Sequence, residues 1–63
     1  MSESLDDLAD AVESLEERVA DAAYETLRAR VRDGDTAGAD ALERRLGRAR
    51  RALAKAAAEL RGD

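Results

Sequence analysis

Val31-Arg32-Asp33-Gly34-Asp35-Thr36-Ala37, near the middle of a 63-residue chain, is the passage on which the fold turns. Gly34 suits the left-handed backbone that ends a helix, and Asp35 or Thr36 can cap the helix that follows. No other turn signal of comparable strength occurs, and the chain contains no proline. The passage therefore predicts a single break between two long helices.

After the break, Ala39, Leu42, Leu46, Ala49, Leu53, Ala56 and Leu60 follow one another in steps of three and four. This is a heptad seam, with Ala39, Leu46, Leu53 and Leu60 at a and Leu42, Ala49 and Ala56 at d. Leucine alternating with alanine lets helices approach closely while the large residues fill the space. Arg61 and Gly62 then supply a cationic last turn and a cap. Before the break, Ser4-Leu5-Asp6-Asp7 has the form of a helix start, with Asp6 and Asp7 at the positive end of the helix dipole. Leu5, Val12 and Val19 occupy a, and Leu8 and Leu15 occupy d. Ala23, Leu27 and Val31 continue in steps of four, so the stripe drifts around the helix from about Ala22 onward. Tyr24 falls at its margin.

These signals predict helices over about 4–32 and 36–61, joined by a turn at about 33–36. Helices so joined run antiparallel, each about 40 Å long. The fold class is therefore all-α: one helical hairpin of the coiled-coil type. A chain this short rarely stabilises itself through one core, so a second copy is expected, making a dimeric four-helix bundle. Both seams, from Leu5 to Val31 and from Ala39 to Leu60, are its expected self-association surface. Ala49 and Ala56 are then close-packed, and leucine at either site overpacks the bundle. Ala52 and Ala58, off the seam, tolerate leucine. Gly38, in a first helical turn, is tolerated, whereas Gly47 marks a close backbone approach.

Charge is segregated along the chain. Residues 2–33 carry ten acids and four bases, and residues 34–62 carry seven bases and four acids. An antiparallel hairpin brings Asp10 near Arg61 and sets Glu16 and Glu17 beside Ala54 and Lys55. Two stripes remain: Asp6, Asp10, Glu13, Glu17 and Asp21 on the back of the first helix, and Arg44, Arg48, Arg51 and Lys55 on the back of the second. Each reads as a solvated face. The basic stripe is also the candidate contact for nucleic acid or an acidic partner, and the acidic one fits salt adaptation or a basic partner.

Composition removes most chemistry. With no Cys and no His, there is no disulfide, no thiol nucleophile and no ordinary base or zinc ligand. Ser2, Ser4, Ser14, Thr26 and Thr36 have no histidine to activate them, and Lys55 is the sole lysine. Ser2 and Ser4 read as residues at a helix start. Gly34 and Gly38 lack the Lys-Ser/Thr that completes a phosphate loop. The expectation is a non-enzymatic protein without metal or cofactor. No apolar run spans a bilayer and no leader pattern opens the chain, so a cytoplasmic location is expected. Ten arginines to one lysine fit high-GC coding or a saline setting.

The short length, the Asp33–Asp35 turn and the mixed layers Leu46, Ala49, Leu53 and Ala56 resemble the Rop family, plasmid RNA-binding proteins whose hairpins dimerise into four-helix bundles. That resemblance implies the architecture. RNA binding does not follow, because that family uses basic, polar and aromatic residues of its first helix, which here is acidic with Tyr24 alone. Leu27, Val31 and Gly34 also resemble the turn of the exodeoxyribonuclease VII small subunit, although Thr36, Ala37 and Gly38 stand where that family has hydrophobic residues. The function expected is a small helical assembly module, self-associating or docking on a larger protein. The alternative is an accessory subunit contacting nucleic acid through Arg44, Arg48, Arg51 and Lys55.

Overall fold

A computed structural model describes residues 3–63; Ser2 lies outside the described residues. Helix α1 runs over Leu5–Arg32 and helix α2 over Thr36–Arg61, and they pack against each other with no strand among the described residues. Local chemistry sets each end. Ser4 Oγ accepts from the Asp7 N–H at 3.0 Å, while the Asp7 carboxylate accepts from the Ser4 N–H at 3.3 Å, closing a reciprocal cap. At the break Gly34 has φ +81°, its N–H donates to Val31 O, and the Asp35 N–H donates to Arg30 O at 2.9 Å. These two bonds satisfy carbonyls that the helix end would otherwise leave free. Gly62, φ +84°, ends α2 in the same way, with Asp63 donating to Ala58 O.

Of the two candidate caps for α2, Asp35 serves, and Thr36 is the first helical residue. The Asp35 carboxylate accepts from the Gly38 N–H at 2.9 Å and pairs with Arg30 of α1 at 3.2 Å. A Cβ at Gly38 would run into that carboxylate as it is placed, so a side chain there requires the cap to shift. Gly47 differs from its expected role. An added Cβ would meet only the Arg51 guanidinium, at 3.5 Å, so no backbone approaches closely at this position in the hairpin. Gly47→Ala is therefore expected to raise stability by up to about 1 kcal/mol through helix propensity. At Gly38 the same gain is offset by displacement of the cap. Thermal melts of the two variants should move apart, with only Gly47→Ala above the parent.

The helices meet along a strip made mostly of small side chains. Ala9, Ala23, Ala39, Leu42 and Ala57 are buried, and Val12, Val19, Leu27, Leu46, Leu53 and Leu60 are half-buried. In heptad terms the strip combines a positions with e positions, since Ala9, Ala23 and Ala57 each stand one residue after a d. Alanines there allow the close approach that the sequence pattern assigned to Ala49 and Ala56. Those two are exposed in the hairpin, and Ala57, 3% exposed, takes the inner place. The expected drift of the stripe is visible: Ala23 is buried, Leu27 half-buried and Val31 58% exposed. Each step of four advances about 40° around the helix. Leu5 is exposed for another reason. Asp10 already stands level with Arg61, at the end of α2, so Leu5 projects beyond it.

The result is a plate one helix thick, 48 × 20 × 12 Å, with a radius of gyration of 14.7 Å. A globular chain of this length would have a radius of about 11 Å. The hairpin has no second layer.

Candidate interaction face

The plate has two broad faces of different character. On one, Val19, Ala22 and Thr26 of α1 and Leu42, Arg45 and Leu46 of α2 line a shared shallow groove. Seven-residue spacing extends this face along both helices, through Ala22, Leu15 and Leu8 of α1 and through Leu42, Ala49 and Ala56 of α2. These are the d positions of the heptads. Leu8 and Leu15 remain 39% and 41% exposed, and Ala22, Ala49 and Ala56 are exposed too. The residues expected to form one seam thus divide: the a positions turn toward the other helix of the hairpin, and most d positions point out of the plate on one side.

The opposite face is charged in the half away from the turn, whereas toward the turn Ala23, Leu27, Leu46 and Gly47 line it together with Glu43 and Arg50. Glu13, Glu16, Glu17 and Ala20 line the charged half from α1, and Arg50, Ala54, Ala57, Ala58 and Arg61 from α2. At its end Arg61 bridges the helices, donating from Nη2 to Asp10 at 2.6 Å and to Glu13 at 2.6 Å, and from Nε to Glu13 at 3.1 Å. The expected approach of Asp10 and Arg61 is thus present. These hydrogen bonds, the one to Asp10 first, hold the guanidinium charged even beyond its ordinary high pKa. Of the acidic stripe, Asp10, Glu13 and Glu17 thus lie on the flank of α1 within reach of α2, while Asp6 and Asp21 are simply exposed. Pairs this exposed set orientation more than they stabilise.

Arg44, Arg48, Arg51 and Lys55 are all exposed along α2, and the first three line a groove together with Ala23 and Leu27 of α1. Among the described residues none of the four lies within 4.0 Å of a carboxylate. They form a line about 16 Å long. Tyr24, expected at the seam margin, is exposed on α1 with Arg28 over its ring at 5.6 Å, beside Leu27 and Val31. Ala9 and Ala57, at e positions, were the buried residues that sequence reasoning missed, whereas Ala23 was already on the expected stripe. With 15 alanines spread over the chain, alanine at e carries no signal of its own.

No helix among the described residues is long and apolar enough to cross a membrane. Comparison with protein-family models, with curated proteins and with solved structures found no match.

Proposed function

We propose that this protein is a non-enzymatic assembly module that associates with a second copy of itself through its apolar broad face, forming a four-helix bundle. One observation carries the reading: the hairpin buries four alanines and a single leucine, while Leu8 and Leu15 stand exposed in heptad register on one side. A core of that kind supplies little burial, and chains of this size generally need a further source of stability. Covering each of these leucines adds about 1–2 kcal/mol per chain. The face measures 48 × 20 Å, a footprint on the order of 1,000 Å², comparable with the roughly 800 Å² per partner of a standard interface.

Sedimentation across concentration and salt tests this directly. A dimer that persists or tightens with added salt is the expected result, because apolar burial strengthens in salting-out conditions. A cooperatively folded monomer at every concentration would overturn the reading and point to a larger partner. The exposed, unpaired line Arg44, Arg48, Arg51 and Lys55 favours a second reading, contact with nucleic acid by an accessory subunit. Such binding weakens steeply with salt, opposite to the dimer.

A further inference from the structure

We infer that the turn half of the hairpin binds an acidic amphipathic helix of another protein, in a groove floored by Ala23, Leu27, Leu46 and Gly47. The groove lies on the face opposite the proposed self-association surface, so the inference holds whether or not a second copy covers that surface.

Charge is the first observation. Arg44, Arg48, Arg50 and Arg51 line the groove, and Glu43 is the one acid among its lining residues. Among the described residues the ion pairs are made by Arg30 and Arg61, and none of these four arginines lies within 4.0 Å of a carboxylate. Their donors are left for an external anion, which a guanidinium engages through two parallel hydrogen bonds. Folding concentrates the effect. Asp10 stands level with Arg61, which sets Ala20 level with Arg51, so residues 20–51 make up the turn half. They hold eight of the eleven cations and six of the fifteen acids, leaving three cations and nine acids to the rest. An acidic ligand is drawn to the turn half and repelled from the other.

The floor decides which anion fits. Leu27 and Leu46 are half-buried, and Leu27 also borders Tyr24 and Val31, which are exposed beside Arg28 and Arg32. An apolar strip is therefore bordered by arginines of α1 and by arginines of α2. Apolar residues one helical turn apart, with carboxylates beside them, match both parts of this surface. The same arginines carry the nucleic-acid reading above, but a phosphate backbone gains nothing from an aliphatic floor. One tyrosine, with Arg28 over its ring at 5.6 Å, is no platform for successive bases.

Gly47 is the second observation. Glycine weakens the interior of a helix. An added Cβ here meets only the flexible tip of Arg51, at 3.5 Å, so packing within the hairpin does not require the glycine. Its missing side chain opens the floor beside the arginines, where an apolar side chain of the partner seats.

The probe is a fluorescent peptide of about 16 residues, long enough for a helix, with leucine on one edge, glutamate on both sides of it and alanine elsewhere. Anisotropy with the full chain is expected to show binding that weakens as salt is added. Serine in place of the leucines, or glutamine in place of the glutamates, should each cost about tenfold or more in affinity. Gly47→Leu fills the floor and should cost as much, while melting no lower than the parent and sedimenting like it. Arg48→Glu combined with Arg51→Glu should cost more. Peptide binding that none of these substitutions in the chain alters overturns the inference, because the peptide then sits elsewhere. Absence of peptide binding overturns it too, as does equal binding of the serine peptide, which is charge attraction alone. Preference for an oligonucleotide over the peptide overturns it in favour of the nucleic-acid reading.

Discussion

Leu15→Glu is expected to abolish the dimer and most of the helical signal with it. Leu15 is 41% exposed in the single hairpin, so glutamate there would be an ordinary surface change if the plate stood alone. In the proposed bundle it sits at a d position of the covered face. The substitution removes about 1–2 kcal/mol of apolar burial per chain. It also buries a carboxylate without a partner, which costs several kcal/mol more unless the group is neutralised or the interface opens. A two-fold axis applies both losses twice. The dissociated hairpin retains a core of alanines and Leu42, too little to keep two long helices ordered at ordinary temperature. Tyr24→Glu is the matched control, because Tyr24 is also exposed but lies outside the d-position face, next to Arg28. Sedimentation and circular dichroism should separate the two variants completely. A Leu15→Glu chain that sediments and melts like its parent would sink the proposed face.

The second large effect concerns the alanines of α2. Ala57 is 3% exposed between the helices of one hairpin, so Ala57→Leu is expected to destabilise by about 1–3 kcal/mol whatever the oligomeric state. Ala56 and Ala49 are exposed on the open face. Leucine at either should be neutral or mildly helpful in an isolated hairpin, through helix propensity, and should overpack a bundle by about 1–3 kcal/mol or change its stoichiometry. Ala58 is half-buried on the charged face, beside Glu13 and Glu17, where leucine has room to lie outward. Melts over a range of concentrations then read two interfaces separately. Loss at Ala57 alone describes a hairpin without a partner. Loss at Ala57, Ala56 and Ala49, with Ala58 unaffected, describes the bundle.

Helix ends were legible because they depend on residues within one turn of each other. Ser4 with Asp7, Gly34 with Asp35, and Gly62 after Arg61 each complete a cap from neighbours in the chain, and no distant contact is needed. The antiparallel arrangement followed from the shortness of the break, and the nearness of Asp10 to Arg61 from simple counting back from the turn. The apolar stripe was legible as a stripe, including its drift from Ala23 to Val31, because periodicity is a property of one helix.

Rotation of each helix about its own axis was not legible. A heptad seam contains a and d residues, and a pair of helices uses only a narrow strip that can centre on a with d or on a with e. The choice rests on which rotation lets two backbones approach most closely, and that is settled by the alanines of both helices acting together. Ala9 and Ala23 of α1 and Ala57 of α2 decide it, turning Ala49, Ala56, Leu8 and Leu15 outward. Sequence by itself thus determined where the helices begin and end, that they fold back on each other, and that they carry an apolar stripe. Only tertiary packing decided which side of that stripe the hairpin consumes and which it leaves open, because close approach is a joint property of two surfaces.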